Sequence, residues 1–217
     1  MILDTVVVGV LQVNCYVLGS PRTRQGVVID PGDNAGAVLH VLEQHHLRLT
    51  HILATHGHFD HVMAARALQD KTGAGFYIHP ADQPLLGLMR QTAQAWLGTD
   101  PGAAPEVTGE LAPGEKIQLD DCELGIYATP GHSPGGVTLV DDAGQRAFTG
   151  DALFAGSIGR TDLPGGDARL LLNSLQNEIL KLPDQYAILP GHGPASTIGQ
   201  ERRTNPFLDP AAFDFWL

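Results

Sequence analysis

Apolar residues in the first thirty positions come in short runs separated by Gly and Pro. Thr5–Val10, Val13–Leu18 and Gly26–Asp30 each have the length of a strand, with turns at Gly19-Ser20-Pro21 and Pro31-Gly32. The period then changes: Asn34 is placed to cap a helix of about 12 residues whose Ala37, Val38, Val41 and Leu42 share one face. Leu49–Leu53 is again a short buried strand, a helical run from Val62 ends near Gly73, and Phe76–Ile78 is a further strand. Residues 81–97 carry a helical pattern broken by Pro84 and Gly87, and 98–115, rich in Gly, Pro and acidic residues, reads as a loop suited to rim or lid a cleft. The second half repeats the rhythm, with strands at 117–119, 122–128, 136–141 and 145–149, a helix at 167–181 and a strand at 186–190. A short helix follows from 197, and the aromatic end Phe213–Leu217 is expected to pack on the body or on a partner subunit. Strands alternating with helices favour a layered α/β fold, and residues 1–217 suit a single domain.

Composition narrows the partners. With 13 Lys and Arg against 24 Asp and Glu the formal net charge is -11, and no basic cluster exceeds Arg202-Arg203, so neither nucleic acid nor an anionic membrane is an expected partner. The two cysteines, Cys15 and Cys122, form no CxxC pattern and no disulfide framework; Cys15 reads as a small core residue. No apolar stretch reaches ~18 residues and the first residues lack a leader pattern, so a soluble, cytoplasmic protein, monomer or homodimer, is expected.

Candidate chemistry concentrates in Thr55-His56-Gly57-His58-Phe59-Asp60-His61. If residues 56–60 are extended, side chains 56, 58 and 60 point one way, with His61 turned aside at the start of a helix. Imidazole and carboxylate suit zinc, iron and manganese. Three later stretches share one grammar, an apolar strand, a Gly/Pro turn and a donor: Thr129-Pro130-Gly131-His132, Thr149-Gly150-Asp151 and Pro190-Gly191-His192-Gly193. Donors at strand ends converge on one sheet edge. His56, His58, Asp60, His61, His132, Asp151 and His192 are too many for one tetrahedral ion, but they serve two ions if one carboxylate bridges, and Asp151 is the natural bridge. His40, His45, His46, His51 and His79 lack this grammar, although His79 is a candidate for the cleft wall. Thr55, Thr149 and Ser133 are candidates to orient the imidazoles.

The set Thr55–His61, Gly131-His132-Ser133-Pro134-Gly135, Gly150-Asp151-Ala152-Leu153-Phe154 and Pro190–Gly193 resembles the metallo-β-lactamase superfamily, and the match runs nearly the whole chain. Val13-Asn14-Cys15-Tyr16 and Gly156–Arg160 resemble its glyoxalase II group, the hydroxyacylglutathione hydrolases, in the short bacterial type without the C-terminal helical domain. The resemblance implies an αββα sandwich with the metal site at one edge of the two sheets. It also implies two divalent metal ions, zinc foremost with iron or manganese as alternatives: His56, His58 and His132 on the first, Asp60, His61 and His192 on the second, Asp151 between. The chain departs from glyoxalase II proper in that only 25 residues follow His192, and Arg160 and Asp162 stand where that family has a glutathione-binding lysine and tyrosine. Arg160 and Arg202 remain candidates for substrate contact, with an internal Arg160–Asp162 pair as the alternative for the former.

Two ions ~3.5–4 Å apart would generate a bridging hydroxide and polarise the carbonyl it attacks, with Asp60 and Asp151 as the catalytic carboxylates. A thioester suits such a site because its thiolate leaves without a strong acid. The expected activity is hydrolysis of a small-molecule thioester of glutathione or a related thiol, of the S-lactoylglutathione type. Gly159–Asp162 and Glu201–Phe207 also resemble persulfide dioxygenases, and the rival reading is one iron on His56, His132 and Asp151 acting on glutathione persulfide.

Overall fold

The first three apolar runs form an antiparallel meander of β1 (Ile2–Val8), β2 (Val13–Gly19) and β3 (Gln25–Ile29) in a computed structural model that describes residues 1–119 and 122–209. α1 (Ala35–Gln44) follows, and the Asn34 side chain accepts from the Ala37 amide as its cap. β4 (Arg48–Leu53) then pairs in parallel with β3. The expected single helix after the histidine loop is two, α2 (Phe59–Val62) and α3 (Ala65–Thr72), the latter ending at left-handed Gly73. β5 (Gly75–Ile78) leads to the interrupted helical stretch, which divides into α4 (Gln83–Leu86) and α5 (Met89–Leu97).

The 98–115 segment is loop, as its composition suggests, except for one short strand. Val107–Glu110 is β6, the outer parallel strand on β5, and Thr108 Oγ1 accepts from the Phe76 amide. Its side chains are mostly exposed, so no apolar alternation marks it in the sequence.

The second sheet runs β14-β13-β10-β9-β8-β7 and the first β1 to β6 in order. Its members are β7 (Lys116–Gln118), β8 (Glu123–Ala128), β9 (Val137–Asp141), β10 (Arg146–Gly150), β13 (Ala187–Pro190) and β14 (Ser196–Thr197). A small hairpin of β11 (Leu153–Phe154) and β12 (Ser157–Ile158) lies outside both sheets and had no sequence signal. α6 (Ala168–Asn177) and α7 (Ile198–Thr204) complete the chain's helices among the described residues, and the expected helix at 167–181 ends as a separate 3-10 turn at Ile179–Lys181. The aromatic end lies outside the described residues. No described helix is long and apolar enough to cross a membrane.

Period-two alternation explains the layers. In β2, Cys15 and Val17 face a core shared with Val38 and Leu42 of α1, while Tyr16 and Leu18 face Leu124, Ile126, Leu139 and Phe148 of the other sheet. A third core packs α6 on the second sheet's far face through Leu171, Leu172 and Leu175. The order is helices, sheet, sheet, helix: the αββα sandwich.

Candidate metal centre

Every donor singled out in the sequence comes to one edge of the sandwich. β4 delivers the chain into Thr55 and His56, and His58 is extended with φ −66° and ψ 144°. The extended conformation stops there. Asp60 and His61 lie on the single turn of α2, which corrects the expectation that 56, 58 and 60 share one face. The helical turn carries Asp60 to His61 and His192 instead, with Oδ2 3.8 Å and 3.4 Å from their Nε2 atoms.

Three three-donor groups have donor atoms within 4.8 Å of one another, His56/His58/His132, Asp60/His61/His192 and Asp30/His56/His61, and the first two are the expected pair. Asp151 stands between: Oδ1 is 3.4 Å from His61 Nε2, and Oδ2 is 3.7 Å from His132 Nε2 and 3.6 Å from His192 Nε2. Donors around a tetrahedral ion with bonds of about 2.0–2.1 Å are separated by roughly 3.3 Å. The spacing fits.

The polar atoms behind the imidazoles fix which nitrogen faces inward. His132 Nδ1 donates to the Arg160 carbonyl at 2.7 Å and His192 Nδ1 to the Leu11 carbonyl at 2.9 Å. His61 Nδ1 donates to Asp30 Oδ2 at 3.1 Å. Thr55 gives its hydroxyl proton to Asp30, 2.6 Å away, and so accepts from His56 Nδ1 at 3.1 Å. In the neutral rings all four Nε2 lone pairs therefore point into the cluster. His58 faces it through Nδ1, 2.9 Å from His132 Nε2. His56 Nε2, His61 Nε2 and Asp151 Oδ1 are buried without a hydrogen-bond partner, an arrangement costing about 1–3 kcal/mol per group unless a cation takes the lone pairs. The donor set and these orphaned atoms fit a pair of divalent ions.

Electrostatics point the same way. Burial and the neighbouring imidazoles hold His56 well below the ordinary histidine range, and burial and His132 push His58 down to about 4, so both rings are neutral donors at neutral pH. Burial opposes ionisation of Asp60 and Asp151, yet His61 and its neighbours hold both carboxyls below their usual range. Burial likewise opposes a proton on His61, but Asp151 and Asp60 outweigh it and raise His61 well above its ordinary value. The anionic half of the cluster demands positive charge.

Sequence reasoning missed two buried carboxylates. Asp30, 1% exposed, takes the Thr55 amide on Oδ1 at 2.7 Å and the Thr55 hydroxyl and His61 on Oδ2, so its oxygens are committed to orienting the ring and loop. The signal was present: Asp30 ends an apolar strand before Pro31-Gly32, the grammar of the other donors. Asp82 binds the Gly57 amide at 2.8 Å, Ser133 Oγ at 2.7 Å and the Gly135 amide at 2.6 Å, tying the two histidine loops together. Nothing in its Pro80-Ala81-Asp82 context announced that. Of the expected orienting residues, Thr55 touches His56, whereas Ser133 serves Asp82 and Thr149 Oγ1 donates to the Leu153 carbonyl. Asn14 donates to the carbonyls of Pro190 and Gly193, and Tyr16 to Pro190, so Val13–Tyr16 anchors the His192 turn.

A cleft of about 400 Å³ opens on the cluster, walled by α4, α5 and the loop at Arg160–Pro164. Arg160 lines it, but its guanidinium forms two 2.8 Å bonds to Asp162. Arg202 does not reach it. That side chain pairs with Asp184 and donates to the carbonyls of Leu180 and Leu182, which corrects its assignment to substrate. No residue of 98–115 lines the cleft, and neither does His79, whose Nδ1 accepts from the Ala81 amide.

The family model described as the metallo-beta-lactamase superfamily matches residues 8–192. Hydroxyacylglutathione hydrolase GloC of Haemophilus influenzae is 35% identical over 216 residues, covering 96% of this chain and 99% of that protein. Among solved structures, the BLEG-1 B3 metallo-beta-lactamase superposes with a TM-score of 0.89 at 36% identity, covering 96% of this chain and all of that one. TTHA1623 in a di-iron-bound form gives 0.87 at 40% identity, covering 94% of this chain and all of its own.

Proposed function

The chain belongs to the metallo-β-lactamase superfamily, and from that premise we propose that it is a dinuclear metal-dependent hydrolase cleaving a thioester of glutathione or a related small thiol, of the S-lactoylglutathione type. The observation that carries the reading is the pair of three-donor groups with Asp151 between them and with the Nε2 lone pairs of His56, His61, His132 and His192 turned inward. Zinc is the first choice of ion, and the same donors suit iron or manganese; the di-iron relative shows iron in a similar chain. When bound, two such ions polarise a carbonyl oxygen and bring the ionisation of water to neutral pH.

The chain's own residues do the rest. Asp30 and Thr55 hold the His61 and His56 rings, and the Arg160 and Leu11 carbonyls hold His132 and His192. The titratable groups lining the cleft are His58, Asp60, His132, Asp151, Arg160 and His192. All are committed to the cluster or, for Arg160, to Asp162, which leaves no lining group among the described residues to protonate an amine as it departs. A thiolate with a pKa of about 8.5 departs without that help, so the site suits thioesters over amides. The GloC relative supports the same class.

The resemblance of Gly159–Asp162 and Glu201–Phe207 to persulfide dioxygenases favours one rival: a mononuclear iron persulfide dioxygenase on His56, His132 and Asp151. Metal analysis with paired assays separates the two. The proposal expects two metal equivalents per chain and thioester hydrolysis; one iron with O₂ uptake on glutathione persulfide would overturn it. Asp151→Ala is expected to lower the metal content and cut turnover by at least 10³-fold, and retained activity removes Asp151 from the centre.

A further inference from the structure

Surface helices normally give polar residues to solvent. The α4–α5 segment does the opposite on the face beside the metal-ligand cluster. Leu85, Leu88, Thr92 and Trp96 recur at spacings of three and four and line the cleft, with Met89 beneath them. Leu88 and Trp96 are 52% and 55% exposed, although they are among the chain's largest apolar side chains. Trp96 is backed by Phe59, ring centroids 6.1 Å apart, so it has a fixed support on the histidine loop. Leu163 and Pro164 line the same cleft.

Charge is scarce there. Arg160 is the single cation among the described lining residues and is neutralised by the two bonds to Asp162. The anions, Asp60 and Asp151, belong to the cluster itself. A peptide thiol carrying two carboxylates and an ammonium would find no partner on these walls, whereas an apolar group would bury surface against Leu88 and Trp96. We propose that this wall is a subsite for an apolar group of the substrate, aromatic or alkyl of about six heavy atoms, joined to the thioester attacked at the cluster. The volume of about 400 Å³ is in the range of small-molecule sites. The proposal rests on the hydrolase reading above and narrows it, away from glutathione and towards thioesters of a related small thiol that carry an apolar group.

Two series on metal-loaded protein test it. One lengthens the acyl group from acetyl to hexanoyl on N-acetylcysteamine; the other lengthens an alkyl thiol on an acetyl group. The arm that enters the subsite should gain about threefold to fourfold in kcat/KM per methylene, and the arm that rises tells which side of the thioester sits there. Trp96→Ser should lower the hexyl-to-methyl ratio roughly tenfold. Hydrolysis with both series flat overturns the subsite and leaves the hydrolase reading intact. Absence of hydrolysis across both series and of S-lactoylglutathione overturns the hydrolase reading, and binding then decides the subsite separately; hydrolysis of S-lactoylglutathione alone overturns the subsite. In a Trp216→Phe background Trp96 is the remaining tryptophan. Non-hydrolysable S-hexyl-N-acetylcysteamine should shift its emission to the blue saturably, and the S-methyl compound should not. Equal responses to the two compounds, or tenfold tighter binding of S-hexylglutathione than of the cysteamine ligand, defeats the proposal.

Discussion

Asp30 touches no expected substrate and is assigned no ion, yet it decides which nitrogen of His61 faces the cluster. Its Oδ2 accepts both from Thr55 Oγ1 and from His61 Nδ1. An amide nitrogen cannot accept those bonds. Asp30→Asn should therefore fold but weaken metal binding at the Asp60/His61/His192 group about 10–100-fold, measured by competition with a chromophoric chelator; unchanged affinity would show that Asp30 does not set the ring. At the cleft mouth, Arg160 holds the exposed Asp162 carboxyl down to about 2. A depressed carboxyl keeps its ion pair above the ordinary pKa of about 3.9 and loses it as pH falls through the folded value. In an NMR titration Arg160→Met should move the Asp162 midpoint up towards the ordinary carboxyl range, with the backbone bond keeping part of the depression, and a midpoint still near 2 would mean that the loop backbone, not Arg160, stabilises the anion. The seven donors were legible because imidazoles and carboxylates at strand ends have a visible grammar. Asp82 was not, since its partners are the Gly57 and Gly135 amides and Ser133, brought together only by folding.

At the scale of elements, buried strands announced themselves and exposed ones did not. β2 is buried along its whole length and reads as an apolar run, while β6 is paired through its backbone with exposed side chains and was read as part of a loop. The histidine loop was half-read, because an extended segment and a helix start look alike over five residues and only the turn of α2 separates Asp60 from His58. The turns that carry the donors are tight for a reason that substitution can test. A Cβ at Gly191, just past β13, would lie 2.2 Å from Asp151 Oδ1 and 2.6 Å from His61 Cε1. Gly191 is not among the residues with positive φ, so alanine meets the crowding without a left-handed backbone. Gly191→Ala should keep the wild-type circular dichroism, lose one metal equivalent and lose at least 100-fold in turnover. Full metal content in that variant would mean that the carboxylate is free to move, against its role as a fixed bridge.

For the whole molecule, the division of donors between sheets has an energetic consequence. His56, His58, Asp60 and His61 follow β4 of the first sheet, whereas His132, Asp151 and His192 follow β8, β10 and β13 of the second. Besides the apolar layer of Tyr16, Leu18, Leu124, Leu139 and Phe148, the sheets meet at this edge through polar ties: Asn14 and Tyr16 to Pro190, the Val137 amide to the Thr55 carbonyl, and Asp82 to Ser133 and Gly135. A cation shared by donors from both sheets binds the folded arrangement and not the separated chain, so its binding energy adds to stability. At a free-ion concentration 1,000-fold above Kd, one ion contributes about 4 kcal/mol. For a chain of this length that is a fall in Tm of roughly 8–16 °C on removal. Dialysis against a chelator followed by a thermal melt measures it, and restoring zinc should return the loss. Asp151→Ala, whose Oδ1 and Oδ2 link the two groups, should show a smaller response to the same treatment. If the wild-type Tm does not move when the metal is removed, the donors are assembled by packing alone and the ions are not a tie between the sheets. A shift of the expected size in the wild type, with a diminished one in Asp151→Ala, would make the centre that is proposed to do the chemistry also the clasp that closes the sandwich at its open edge.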